Sequence, residues 1–162
     1  MTSGARPDTP HARTRQRGSF TLPLPPAEAF DLFTAEGERR WVAGWEPVIL
    51  SDCGATKPGA VFLTDHGGEP TIWTLLEYDR EAGRLAYSRV SPGRRAGTVR
   101  VSLGPDGEGT RVKVAYDITS LGSEGDAAVR SMDAAGFDRM LHEWRRLIRV
   151  ALESSHTRAQ PA

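Results

Sequence analysis

Cysteine is almost missing from this chain: Cys53 stands alone among 162 residues. A single thiol can form neither an intramolecular disulfide nor a cysteine-based zinc site, and such sparing use fits a reducing compartment, so a cytoplasmic location is expected. Lysine is also scarce, with only Lys57 and Lys113. The rest of the basic charge is arginine, which together with abundant Ala and Gly reads as a high-GC genome rather than a phosphate-binding surface. Charge of one sign is lacking as well: 21 basic residues balance 21 acidic ones. No global field therefore recruits nucleic acid or an anionic membrane, and no nucleic-acid partner is expected. No run approaches the roughly 20 apolar residues of a membrane span. Arg6, Arg13, Arg15 and Arg17 near the N-terminus are followed by no apolar stretch, so a secretory signal is not indicated. His11, His66, His142 and His156 have no ligand spacing. Walker, dinucleotide and serine-elbow patterns are missing too, and the expectation is no metal and no cofactor.

What is present is a periodic chain of one domain's length, with 38% hydrophobic residues to build a core. Residues 126–153 read as one long amphipathic helix, about 40 Å at about 1.5 Å per residue. Val129, Gly136, Phe137, Met140, Trp144, Leu147, Ile148 and Ala151 share a face, which Leu141 and Leu152 widen. The hundred residues before it read mostly as strands. A first strand spans 15–22; Pro23, Pro25 and Pro26 stop it, and Pro26 opens a short helix over 27–34. A second short helix covers 36–42. Strands follow at 48–51, 60–65, 71–78, 85–90, 98–103 and 111–118, separated by Gly- and Pro-containing turns. Val99, Val101 and Leu103, and then Val112, Val114, Tyr116 and Ile118, alternate cleanly with polar residues, the mark of an antiparallel sheet wet on one face. The expected fold is α+β: a curved antiparallel sheet of about six to seven strands wrapped on a long C-terminal helix, with two short helices after the first strand. The domain is placed at 14–154, between a disordered tail (1–13) and a frayed one (155–162). A rod rarely fills the concavity of a curved sheet, so a pocket between them is expected.

In this order of elements the chain resembles the START-like or Bet v 1-like helix-grip (SRPBCC) superfamily, and within it the polyketide cyclase/dehydrase or activator-of-Hsp90-ATPase-like branch. The resemblance covers about residues 15–153. It is carried by Leu24-Pro25-Pro26-Ala27-Glu28-Ala29-Phe30 after the first strand, the tryptophan segment from Trp41 to Pro47, and Pro58-Gly59 before a strand. It is carried also by the hairpin with Glu77, Asp79 and Arg84-Leu85, and by Gly136-Phe137 with Leu141 and Trp144 in the last helix. The resemblance implies the helix-grip fold and a cavity. It does not imply one activity, because members include ligand carriers, cyclases, hydrolases and co-chaperone domains.

The candidate ligand-binding residues are Trp41, Trp45, Trp73, Tyr87, Arg89, Tyr116, Asp133, Phe137 and Met140. Buried Trp and Tyr carry an N–H or O–H that needs a partner, and in a cavity that partner can be a ligand; plain core packing is the alternative for each. Arg89 continues the Leu85, Tyr87 face and either clamps a carboxylate or phenolate or reaches solvent from a strand end. Asp133 is discordant on the apolar arc of the long helix. It either points into the cavity mouth, as an orienting group or acid–base, or is wet or paired with Arg89. Asp133 and Arg89 are the weak catalytic candidates. His66 beside Asp65 is a poor catalytic pair, since neighbours on a strand point opposite ways. The expected function is binding of a small hydrophobic molecule, aromatic or acyl. The alternatives are an aromatase/cyclase-type enzyme acting on a polyketide-like substrate and a co-chaperone-like interaction module. A homodimer through a sheet edge stays open.

Overall fold

The computed structural model describes residues 11–159. Seven strands, β1 (Arg13–Leu22), β2 (Val48–Ile49), β3 (Val61–His66), β4 (Glu69–Asp79), β5 (Arg84–Ser91), β6 (Arg95–Asp106) and β7 (Gly109–Ser120), form one antiparallel sheet in the order β1-β7-β6-β5-β4-β3-β2. From β2 to β7 the sheet is a meander, as the short turns require, and β1 closes onto β7. Alternation sets the faces: Phe62, Leu75, Tyr87, Val99, Val101, Val114 and Tyr116 turn inward and are buried. A bulge between Leu75 and Glu77 bends β4. At Gly97 a Cβ would meet the Asp117 carbonyl of β7 at 1.9 Å, so only glycine permits this approach of the two strands.

Helix α1 (Pro26–Asp31) starts with proline in its first turn, as the fixed φ of proline favours, and buries Ala29 and Phe30. A one-turn 3-10 helix, Gly37–Arg40, follows. The sheet's concave side is then covered by two C-terminal helices, α2 (Ser123–Ser131) and α3 (Ala134–Ala159). The expected single helix over 126–153 is thus corrected to two. The chain breaks at Met132 and Asp133, where the Asp133 carboxylate accepts the Gly136 N–H at 2.8 Å and so caps α3. The Met132 carbonyl accepts the Thr14 hydroxyl at 2.6 Å. Gly136 suits the break because a Cβ there would meet the Ser131 carbonyl at 2.0 Å. Helix α3 continues to Ala159, through the part of 155–162 expected to fray, and β1 begins at Arg13, inside the stretch expected to be a disordered tail. The rest of that N-terminal tail, residues 1–10, and the last residues, 160–162, lie outside the described residues.

The interior has two parts. Under α1, Phe20, Leu22, Phe30, Phe33, Leu103 and Val112 pack into a filled core. Toward β3, β4 and β5 the side chains become aromatic and polar, and the packing opens. No helix among the described residues is long and apolar enough to cross a membrane.

Candidate functional site

A cavity of about 190 Å³ lies between the inner face of β3–β7, the 3-10 turn and α3. All four tryptophans, Trp41, Trp45, Trp73 and Trp144, border it, with Phe62, Tyr87, Tyr116 and Met140. Its shape is held by hydrogen bonds from Trp41, Trp45, Trp73 and Tyr87. The chain just after α1 offers carbonyls that no helix pairs. Trp41 Nε1 donates to the Leu32 carbonyl (2.7 Å), the Tyr87 hydroxyl to Phe33 (2.8 Å) and Trp45 Nε1 to Ala35 (2.8 Å). Trp73 Nε1 donates to the Thr64 hydroxyl at 2.9 Å, and its ring lies parallel to Phe62 with centroids 5.9 Å apart. These rings therefore present apolar faces and edges to the cavity.

A polar group stands at one end. Arg95 grips Glu69 with two parallel hydrogen bonds, Nε to Oε1 at 2.9 Å and Nη2 to Oε2 at 2.7 Å. Hydrogen bonding from Arg95 is the main reason that the Glu69 carboxyl is held down at about 2. Arg89 leans on the same carboxylate from further off, Nη2 to Oε1 at 3.7 Å, and donates to the Ser91 hydroxyl at 3.3 Å. Its guanidinium carbon sits 5.1 Å from the Trp73 ring centroid, within cation–π range. Arg89 is only 9% exposed, and its buried Nε has no hydrogen-bond partner. Burial, followed by the repulsion of Arg95, lowers its pKa. Two cations thus share one anion beside the cavity.

Glu38 lines the cavity from the 3-10 turn. Burial alone pushes its carboxyl from the ordinary 4.5 up to about 8; neither a cation nor a hydrogen bond offsets the lost solvation. The Tyr116 hydroxyl lies between the two charged sites in an electrostatic sense. Burial pushes it to about 12, the Arg89 cation opposes that rise, and the Glu38 carboxyl reinforces it.

Of the residues singled out in the sequence, Trp41, Trp45, Trp73, Tyr87, Arg89, Tyr116 and Met140 border the cavity. Phe137 does not: it is buried beside Tyr116, with ring centroids 5.4 Å apart, and faces Gly18 of β1. Asp133 is corrected too. It is exposed, caps α3 and points to no cavity, because a carboxylate is more stable on free N–H groups at a helix start than inside an apolar pocket. His66 stands at the cavity rim, its Nε2 2.9 Å from the Ala43 carbonyl. Sequence reasoning passed over Glu38, Glu69 and Arg95. Glu38 sits in the charged run Glu36-Gly37-Glu38-Arg39-Arg40, which resembles solvated surface. Glu69 and Arg95 lie 26 residues apart, and only the pairing of β4, β5 and β6 brings them together.

Comparison with known proteins agrees with this architecture. Residues 13–149 match the family described as polyketide cyclase / dehydrase and lipid transport. The chain belongs to that family. Among solved structures, this family member is similar to Ara h 8.0201, at 14% identity and a TM-score of 0.63 over 87% of this chain and 99% of that one. It is similar to CalU16 from Micromonospora echinospora, at 17% identity and 0.54 over 90% and 95%. A protein from Thermobifida fusca aligns at 20% identity and 0.59 over 75% and 83%. Likeness at these identities establishes the START-like, Bet v 1-like helix-grip fold and no more. No curated protein matches the sequence.

Proposed function

We propose that this family member binds a small flat molecule, aromatic or acyl, whose carbonyl or anionic oxygen rests on Arg89. The observation that carries this reading is the guanidinium itself: nine-tenths buried, bordering the cavity, with one donor unpartnered. A buried donor left unpaired costs about 1–3 kcal/mol; the guanidinium bordering the cavity is a cation already stripped of water, and a ligand oxygen placed against it restores part of that lost solvation. Burial of apolar surface against the rings supplies the rest, about 25 cal/mol per Å². A dry cavity of about 150 Å³ takes benzene, so 190 Å³ suits one or two rings rather than an extended chain.

The cyclase-type alternative is favoured by one specific feature, the polar cluster of Glu38, Tyr116 and Arg89 on the same hollow. A purely apolar lining would have favoured carriage alone. A co-chaperone-like module needs no hollow of this kind.

Titration with 2-naphthoate, followed by tryptophan fluorescence, tests the binding reading. Saturable quenching is expected, because every tryptophan borders the cavity. No saturable change with 2-naphthoate, 2-tetralone or 2-methylnaphthalene would sink it.

A further inference from the structure

Three polar groups face one small hollow with no completed set of partners. The Arg89 Nε is unpaired. The Tyr116 hydroxyl is perturbed by burial and by charge but by no hydrogen bond, and the Glu38 carboxyl by burial alone. A purely structural carboxyl inside a protein is normally paired or hydrogen-bonded. Glu38, half-buried on the 3-10 turn, instead borders the same cavity as a cation and a phenol.

We infer that Glu38 is a catalytic residue that exchanges a proton with a carbon next to a carbonyl, while Arg89 and Tyr116 hold the carbonyl oxygen. The inference rests on the reading that the hollow admits a flat carbonyl compound. In the step, the carbon–hydrogen bond breaks and the proton goes to a Glu38 carboxylate oxygen. The electron pair of that bond forms a carbon–carbon double bond, and the carbonyl π pair moves to oxygen. The resulting enolate lies against the guanidinium and the phenolic O–H, donors already in place where the charge develops. Return of the proton from Glu38 to the same carbon regenerates the ketone; return to a conjugated carbon isomerises it. Nothing is oxidised or reduced, and no co-reactant is consumed.

The other ionisable groups on the hollow do not compete for this role. Glu69 is locked to Arg95 and is held at about 2, too weak a base. The Tyr87 hydroxyl is spent on the Phe33 carbonyl. His66 is exposed at the rim with Nε2 on the Ala43 carbonyl. A carboxyl poised near 8 is, by contrast, matched to proton transfer near neutral pH.

The experiment is hydrogen–deuterium exchange of 2-tetralone in D₂O, read by proton NMR at its benzylic α-carbon, with binding of the same compound measured by tryptophan fluorescence. The full chain is expected to accelerate exchange at least tenfold over buffer. The accelerated rate should climb with pH, pass its half-maximum near pH 8 and level off above that as Glu38 becomes fully ionised. Across that range Glu69, which faces Arg89 and Arg95, stays anionic, and the raised Tyr87 and Tyr116 hydroxyls stay neutral. His66→Gln removes the remaining titratable group at the rim and should leave the profile in place. Glu38→Gln should lose at least nine-tenths of the acceleration, and Glu38→Asp, which withdraws the carboxyl by one methylene, should lose part of it. Should Glu38→Gln fail to fold, the wild-type pH profile and Glu38→Asp decide. Binding of 2-tetralone without accelerated exchange overturns this inference and leaves the binding reading standing. Acceleration that survives in Glu38→Gln overturns it equally. Absence of binding overturns both.

Discussion

The two halves of the interior are built from different materials. Under α1, aliphatic and phenylalanine side chains such as Leu22, Phe30, Phe33, Leu103 and Val112 are almost wholly buried in the hydrophobic core, and none of them borders the hollow. Toward β3–β5, rings are tethered by their own N–H and O–H groups to fixed oxygens, at Leu32, Phe33, Ala35 and Thr64. A tethered ring cannot slide to fill a gap, so the hollow persists where the donors are anchored and disappears where nothing anchors the side chain. The lesson is that a cavity can be maintained by directional bonds in its walls rather than by weak packing.

Truncation should break this contrast most strongly in the filled half. Phe30, 1% exposed, should cost about 3–5 kcal/mol when replaced by alanine, read from denaturant unfolding. In the hollow half, Arg89→Met should weaken 2-naphthoate binding by about 2 kcal/mol, some thirtyfold, and leave 2-methylnaphthalene within about twofold. Because Arg95 alone still pairs Glu69, the same variant should lose no stability in a melt.

Glu38 sharpens the comparison through pH. Its carboxyl is raised in the fold, from 4.5 to about 8, so the native state holds a proton that the unfolded chain releases. The neutral acid contributes its full stability below about 4.5, and that contribution is lost as pH rises toward 8, by at most about 1.4 kcal/mol per pH unit. Relative to Glu38→Gln, wild-type stability should therefore fall across this window and stay level below it, as parallel denaturation series at several pH values would show. Asp133→Ala should cost about 1 kcal/mol through the lost cap of α3 and leave 2-naphthoate affinity unaltered. Smallest of all, Arg146→Ala on the outer face of α3 should cost under about 0.5 kcal/mol, since its partner Glu143 is an exposed neighbour one turn away.

Much of the fold was legible because its signals are local. Period-two alternation marks β6 and β7 on both faces, and Pro25-Pro26 marks the start of α1. The break between α2 and α3 was not read, although its signal is there: an aspartate is a preferred helix cap, accepting a backbone N–H two or three residues on. On a 100° wheel that cap falls on the apolar arc and passes for an odd polar residue. The aromatic lining was readable from strand faces, since Trp73, Tyr87 and Tyr116 each sit at an inward position. Glu38 was not, because nothing in a run of charged residues says which one the chain will fold over a pocket. Its environment comes from Tyr87 and Tyr116, which lie 49 and 78 residues further along the chain.

The three bonds that Trp41, Tyr87 and Trp45 make to the chain just after α1 also govern traffic. They rivet one wall to a four-residue ledge, Leu32 to Ala35, that is itself packed into the filled half. Swinging that wall aside would uproot Leu32, Phe33 and Ala35 from the buried core. The rim on the other side carries the exposed His66 of the β3–β4 hairpin, which meets the facing loop through its Nε2 at the Ala43 carbonyl and its ring against Trp45. The riveted wall and the exposed rim thus belong to separate parts of the same small room.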